Sequence, residues 1–168
     1  MISAIVYTSN TGYTAEYARL LGESTSLAVC SLDEAETRLQ RGCEIIYLGW
    51  LMAGRVQGYK KARERYRIRA VCGVGMGAAG EQLDDVRKTN GLADSLPLFT
   101  LQGGFDMSKL HGVYKFMMQV MKLALRGKLA KKDNRTPEED AVLEMLDHGA
   151  SRVSKEQLSP VLAWYGQA

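Results

Sequence analysis

Apolar runs alternate with helically spaced apolar residues along the first hundred positions. Ile2–Tyr7 is a short apolar run of the kind that forms a central strand buried on both faces. Thr14, Tyr17, Ala18 and Leu21 follow at i, i+3, i+4 and i+7, the spacing of one helix face. Leu27–Cys30 predicts a weaker second strand. Ser31–Glu34 has the form of a capping box and should open a short helix. Glu44–Gly49 predicts a third strand, and Gly58–Arg67 a basic, exposed helix or loop. Ile68–Val74 predicts a fourth strand and Glu81–Lys88 the helix after it. Leu96–Leu101 predicts a fifth, with Pro97 near its start, where proline is tolerated. Five short strands separated by helices predict an α/β fold: a doubly wound parallel sheet with helices on both faces and right-handed crossovers.

The pattern changes after Leu101. Val113, Phe116, Met117, Val120, Met121 and Ala124 keep a helical spacing, with Lys115, Gln119, Lys122 and Arg126 on another face. Lys128–Arg135 reads as a charged loop. Thr136, Pro137 and Glu139 fit N-cap, N1 and N3 of a further helix running to about Gly149. Ser154–Gln157 has the form of another capping box. The last helix must absorb Pro160 by a kink or by restarting with Ser159 as its cap. No repeat, low-complexity tract or linker interrupts the chain, so residues 1–168 read as one domain with a helical insertion at 107–150.

Composition narrows the class. The chain has 168 residues, 46% hydrophobic and 24% charged, which suits a globular protein. No apolar run reaches the roughly 18 residues of a membrane-spanning helix. Met1–Tyr7 lacks the basic start and cleavage site of a signal peptide and reads as a strand. Cys30, Cys43 and Cys72 are odd in number and contain no C-x-x-C pair. Buried, inert thiols in a reducing cytoplasm are therefore expected, with neither a disulfide framework nor a zinc finger. His111 and His148 have no spaced partner for a metal, although His111, beside the basic insertion, could meet a substrate carboxylate. A net charge of +3 does not by itself call for nucleic acid. The basic run Lys60–Arg69 reads as a solvated face, with weak docking of an acidic protein as its functional alternative. No Ser-His-Asp constellation stands out, and no side chain presents itself as a general acid or base.

The turn between the first strand and the first helix carries the most chemistry. Thr8–Ser9–Asn10–Thr11–Gly12–Tyr13–Thr14 holds four hydroxyls, an amide and one glycine. Such a turn gathers N–H and O–H donors into one concavity, and the helix N-terminus behind it favours an anion. One hydroxyl would serve as an ordinary helix cap; this many exceeds that need. The loop has no lysine or arginine, so it suits a phosphate held by neutral donors and is not a Walker A loop.

Strand-TSNTGYT-helix resembles the FMN phosphate loop of flavodoxins, where a Ser/Thr-x-Thr-Gly-x-Thr pattern cradles the ribityl phosphate. Here that pattern is Ser9, Asn10, Thr11, Gly12, Tyr13 and Thr14. The resemblance implies strand order 2-1-3-4-5, with FMN at the switch point between strands 1 and 3. It also makes the loops after strands 3 and 4 the binding surface for the ring. In the first, Gly49–Arg55, Trp50 stands between glycines where it could stack on the isoalloxazine, with Leu51 beside it; a core role for Trp50 is the alternative. In the second, Gly75, Met76 and Gly77 let backbone approach the flavin edge. This loop, Gly75–Gly80, spells G-x-G-x-x-G. A nicotinamide dinucleotide reading is disfavoured, because that fingerprint belongs in the first strand–helix turn and no acidic residue ends the next strand. The loop lacks the aromatic residue that covers the second ring face in many flavodoxins. Met76 could cover it, or the face is open to a stacked substrate or quinone.

Charge separates the chain from acidic electron carriers. Residues 107–135 hold Lys109, Lys115, Lys122, Arg126, Lys128, Lys131, Lys132 and Arg135 against Asp133 alone. Residues 136–168 hold Arg152 and Lys155 against six carboxylates. A basic amphipathic helix rich in Met, Phe and Tyr can lie in a membrane interface, or pack on the sheet edge with its lysines solvated. Gly103–Lys109 followed by Tyr114–Met118 is similar to the insertion of flavodoxin-type, menaquinone-dependent protoporphyrinogen dehydrogenases. That resemblance implies FMN, oxidation of protoporphyrinogen or a similar reduced substrate, quinone as acceptor, and contact with the inner face of the membrane through residues 107–135. The helix from Thr136 departs from the shortest members of that family. A soluble flavodoxin-type carrier with a redox protein partner, and a non-redox binding module that has lost FMN, are the competing functions.

Overall fold

The computed structural model describes residues 1–129, 131, 136, 137, 139, 140, 144 and 149–167, with only the backbone described at 105, 107 and 129. Most of the charged loop expected at 128–135, most of the helix expected from Thr136, and His148 lie outside the described residues. The chain divides into two compact units, Met1–Gly103 with Arg152–Ala168, and Gly104–Ser151.

The first unit is built on strands β1 (Ile2–Thr8), β2 (Ala28–Ser31), β3 (Glu44–Met52), β4 (Arg55–Val56), β5 (Arg67–Gly75) and β6 (Leu98–Gln102). Its helices are α1 (Tyr13–Thr25), α2 (Leu32–Arg38), α3 (Tyr59–Arg65), α4 (Leu83–Asn90) and, at the C-terminal end, α6 (Ser159–Tyr165). Five strands pair in the order β2-β1-β3-β5-β6, all parallel, and β4 adds to β3 as an antiparallel hairpin arm. Without β4 this is the order 2-1-3-4-5, a flavodoxin-like α/β fold.

The apolar runs explain why these segments pair centrally. Ala4, Ile5, Val6, Ile45–Leu48 and Ala70–Cys72 are all fully buried, as parallel strands covered on both sides must be. Alternate residues enter two layers. Val6, Tyr47 and Val71 pack with Leu32, Ala35, Tyr59, Ala62 and Val86. Ile5, Ile46, Leu48 and Cys72 pack with Tyr17, Ala18, Leu21, Leu158 and Val161. Each such Ile, Leu or Val side chain contributes about 1.5–3 kcal/mol. The predicted face of α1, Thr14, Tyr17, Ala18 and Leu21, is buried throughout.

Local signals held in part. Ser31 and Glu34 form the capping box, with Ser31 N–H donating to Glu34 Oε2 at 2.8 Å. The segment expected to be an exposed basic stretch is a helix with one inward face: Tyr59 and Ala62 are buried. The capping box expected at Ser154 does not form. A 3-10 turn spans Glu156–Leu158 without a side-chain cap, and Gln157 is used elsewhere. Its Oε1 accepts from the Gln102 backbone N–H at 2.7 Å and its Nε2 donates to the Arg152 carbonyl at 2.6 Å. β6 is a sheet edge, and an unpaired strand N–H is a stronger demand than a marginal cap. Pro160 sits in the first turn of α6, so the chain restarts rather than kinks, with Leu158 and not Ser159 at the cap.

The second unit contains a short hairpin of β7 (Gly104–Phe105) and β8 (Ala150–Ser151), a 3-10 turn at Met107–Lys109, and α5 (Gly112–Leu129). α5 extends the predicted amphipathic helix by about a turn. Thr136 and Glu139 exchange the expected reciprocal bonds, Thr136 N–H to Glu139 Oε2 at 3.1 Å and Glu139 N–H to Thr136 Oγ1 at 3.3 Å.

Candidate functional site: the loops at the ends of the parallel strands

The loop Ser9–Gly12 leaves β1 beside β3, where the direction of strand addition reverses. Ligands of open α/β sheets bind at that crevice. Gly12 takes a left-handed conformation, φ +95°, at the N-cap of α1, and a Cβ there would meet nothing within 4 Å. No side chain caps the helix. Ser9 Oγ instead accepts from Gly12 N–H at 3.1 Å, closing the loop on itself. The surplus of hydroxyls therefore does not serve capping. Asn10 is exposed and Thr11 half-buried, and neither forms a side-chain hydrogen bond among the described residues. Thr14 is 2% exposed, and its hydroxyl likewise takes no partner among them. The N–H groups of the first helical turn add donors that no carbonyl within the helix can satisfy.

Two residues of the stretch are committed inward. Tyr13 is buried among the residues under α1. Thr8 Oγ1 lies 2.8 Å from Tyr47 Oη, which itself donates to the Gln57 carbonyl at 2.8 Å. Burial holds the Tyr47 phenol well above the ordinary tyrosine range, so it stays protonated and donates. The four hydroxyls of the turn thus divide into Thr8, which is bonded into the sheet, and those of Ser9, Thr11 and Thr14, which are not.

The segment after Gly49 is not a loop. β3 continues through Trp50, Leu51 and Met52, turns at Ala53–Gly54, and returns as β4 with Met52 opposite Arg55 and Leu51 opposite Val56. Ala53 and Gly54 both have positive φ, 49° and 75°, as a two-residue type I′ hairpin turn requires. Asn90 clamps the hairpin: Oδ1 accepts from Val56 N–H at 2.9 Å and Nδ2 donates to the Gly54 carbonyl at 2.8 Å. Trp50 and Leu51 consequently point to opposite faces of a strand. Leu51 lies against Gly73 and Gly75, where an added Cβ would sit 3.0 and 3.2 Å from its side chain. Gly75 makes room for Leu51.

Leu51, Gly75, Met76 and Gly77 come together with Ala53, Gly54, Glu81 and Gln82 around a cleft of about 250 Å³. Four of the five expected ring-binding residues thus share one cleft. Trp50 is half-buried in the strand on the other face and does not line it, nor does any of Ser9–Thr14. The loop over the cleft is pinned from β6. Thr100 Oγ1 donates to the Glu81 carbonyl at 2.8 Å, and Gln102 Nε2 donates to the Met76 carbonyl at 3.1 Å. Gln102 also accepts Tyr17 Oη on its carbonyl at 2.6 Å, which ties α1 to the same strand end. Gln102 and Asn90 carry no motif in the sequence, and Gln157 reads there only as the end of a capping box. The available signal was an amide at the end of an apolar strand or a short helix.

The G-x-G-x-x-G loop has structural uses for its glycines. Gly75 accommodates Leu51, and Gly80 has φ +82°. Asp84 and Asp85 occupy the first turn of α4 behind it, a field that opposes a pyrophosphate. Among the described residues no group of three His, Cys, Asp or Glu could hold a metal.

No family model matches the chain, and neither a curated protein nor a solved structure matches it.

Proposed function

We propose that the protein binds FMN non-covalently and is a flavodoxin-like redox flavoprotein. The observation that carries this reading is the N-terminus of α1. Three donor side chains, Asn10, Thr11 and Thr14, stand there without partners among the described residues, and no side chain caps the helix. An unused set of neutral donors at the switch point of a 2-1-3-4-5 sheet suits a phosphate monoester. The chain's residues fit the group: Ser9–Thr14 hold the phosphate, and Leu51, Gly75, Met76 and Gly77 offer an apolar and backbone surface for the ring. Trp50, on the opposite face of β3, is kept as a stacking candidate from the resemblance alone. The bound cofactor would supply the electron chemistry. The protein binds it, orients it and tunes the ring through backbone groups that Gln102 and Thr100 hold in place.

The substrate reading follows the resemblance to protoporphyrinogen dehydrogenases: a porphyrinogen or similar reduced aromatic as donor and quinone as acceptor. The aromatic-free loop Gly75–Gln82 leaves room for an organic molecule on the ring. α5 supports contact with a membrane surface. Its Val113, Phe116 and Leu123 are 71%, 67% and 71% exposed, and it carries Lys115, Lys122, Arg126 and Lys128 with no carboxylate. No helix among the described residues is long and apolar enough to cross a membrane.

The test is a visible absorption spectrum before and after adding FMN. A bound-flavin spectrum that is lost in the double variant Thr11→Val/Thr14→Val, with the fold intact by circular dichroism, supports the reading. A colourless protein indifferent to FMN overturns it and leaves a binding module on a flavodoxin-like scaffold.

A further inference from the structure

A larger cleft, about 520 Å³, lies on the other side of the β3–β4 hairpin, between α3 and the C-terminal end of α4. Its wall carries Arg55, Lys60, Lys61 and Arg63 against one carboxylate, Glu64. That is as large an excess of positive charge as the whole chain bears, +3. Concentrating it in one concavity costs mutual repulsion unless an anion is present.

Only one of the four cations is consumed by internal pairs. Lys61 is engaged, 2.9 Å from Glu36 and 3.5 Å from Asp33. Arg63 lies 5.8 Å over the ring of Tyr59, which holds its guanidinium in place without neutralising it. Arg55 and Lys60 pair with no carboxylate among the described residues. Gln57 and Thr89 add neutral hydrogen-bonding groups to the same wall. The backbone under the cleft is preorganised. Asn90 fixes β4, and Gly58, φ +79°, packs its Cα against Tyr47 Oη and Thr8 Oγ1.

We propose that this cleft is a second binding site, for a small polyanion carrying two or more phosphate or carboxylate groups. Two guanidinium groups and an ammonium group, Arg55 on β4 with Lys60 and Arg63 on α3, suit charges spread over one molecule better than a single monoanion. The volume falls in the range of small-ligand sites. The site is separate from the phosphate loop, whose donors are neutral, and the inference stands whether or not FMN binds.

The test is isothermal titration of the full chain with pyrophosphate and, separately, with citrate, each at matched ionic strength. The expected result is saturable binding of one ligand per chain to at least one of the two probes. It should weaken by about tenfold or more in Arg55→Ala/Lys60→Ala, and also in Arg63→Ala. Arg19→Ala/Lys155→Ala, which removes two cations elsewhere in the unit, should bind as the parent does. Circular dichroism checks that each variant is folded. Preference between the probes assigns phosphate or carboxylate chemistry. Equal weakening in the control pair, or no saturable binding of either probe, overturns the proposal. So does binding only of a polyglutamate peptide, which would make the cleft a protein-docking surface.

Discussion

Thr8 Oγ1 donates to Tyr47 Oη across 2.8 Å, and the direction of that bond follows from its neighbour. Tyr47 has a single hydroxyl proton, and the Gln57 carbonyl, 2.8 Å away, can only accept it. The proton of Thr8 is therefore directed at Tyr47. One hydroxyl of the candidate phosphate turn belongs to the core of the sheet, joining β1 to β3 and to the residue after β4.

Removing the middle of that chain should cost more than removing its end. Tyr47→Phe strands the Gln57 carbonyl and the Thr8 hydroxyl together, for a loss of about 1–3 kcal/mol. Thr8→Val leaves Tyr47 its acceptor and should cost about 1 kcal/mol. Urea denaturation measures both. Thr8→Val should also leave FMN affinity unchanged, unlike Thr11→Val. Equal losses of affinity would mean that Thr8 faces the ligand.

Gly58 is the tightest position next to that chain. A Cβ there would lie 2.1 Å from Tyr47 Oη and 2.4 Å from Thr8 Oγ1, at φ +79°. Gly58→Ala should lose about 1–2 kcal/mol to left-handed backbone strain and about 1–3 kcal/mol more to overpacking. A melting temperature equal to the parent's would show that the turn relaxes freely.

Asn90 holds the hairpin that separates the two clefts. Asn90→Ala removes its bonds to Val56 N–H, the Gly54 carbonyl and the Val86 carbonyl, at an expected cost of about 1–3 kcal/mol. Amide exchange at Val56 should accelerate before exchange in β3 does. If both amides exchange in step with global unfolding, the clamp has no local role.

Alkali should destabilise the fold. Burial pushes the Tyr17 phenol from 10.0 up to about 12 and the Cys72 thiol from 9.0 up to about 12, and it raises Tyr47 as well. Above the unfolded values, the unfolded chain gives up protons that the folded chain keeps. The unfolded state then binds fewer protons, so stability falls as pH rises. The decline should begin near pH 9.0 with Cys72 and steepen above 10.0 with Tyr17. Tyr17→Phe should flatten the upper part. A denaturation midpoint level across that window would contradict the assignment.

The exposed face of α5 should matter to a lipid surface and not to folding. Val113→Ser/Phe116→Ser should change stability by no more than about 0.5 kcal/mol. It should weaken sedimentation with vesicles of phosphatidylserine and phosphatidylcholine, because apolar insertion supplements the attraction of the lysines. Undiminished vesicle binding would reduce the contact to charge alone.

The sequence by itself determined the elements whose cause is local. Ile2–Tyr7, Glu44–Gly49 and Ile68–Val74 are apolar without alternation, which only a strand buried on both faces explains. The face of α1 and the Ser31 capping box are equally short-range. So is the donor-rich turn Ser9–Thr14, which was legible as a candidate anion site before any coordinate. The tertiary structure decided what depends on distant partners. Gly49, Trp50 and Gly54 read as a glycine-flanked loop, yet Gly49 is small because the hairpin passes over it. A Cβ there would lie 2.6 Å from the Gln57 carbonyl and the Val56 side chain. The Ser154 cap gave way because Gln157 found a strand-edge N–H in Gln102, 55 residues earlier. Thr8 reads as one more hydroxyl of the donor-rich turn, yet its proton goes to Tyr47, 39 residues on. Periodicity and capping act within a turn or two of chain. A hydrogen-bonding side chain chooses among all the partners that folding brings within 3 Å, and one-dimensional order does not contain that choice.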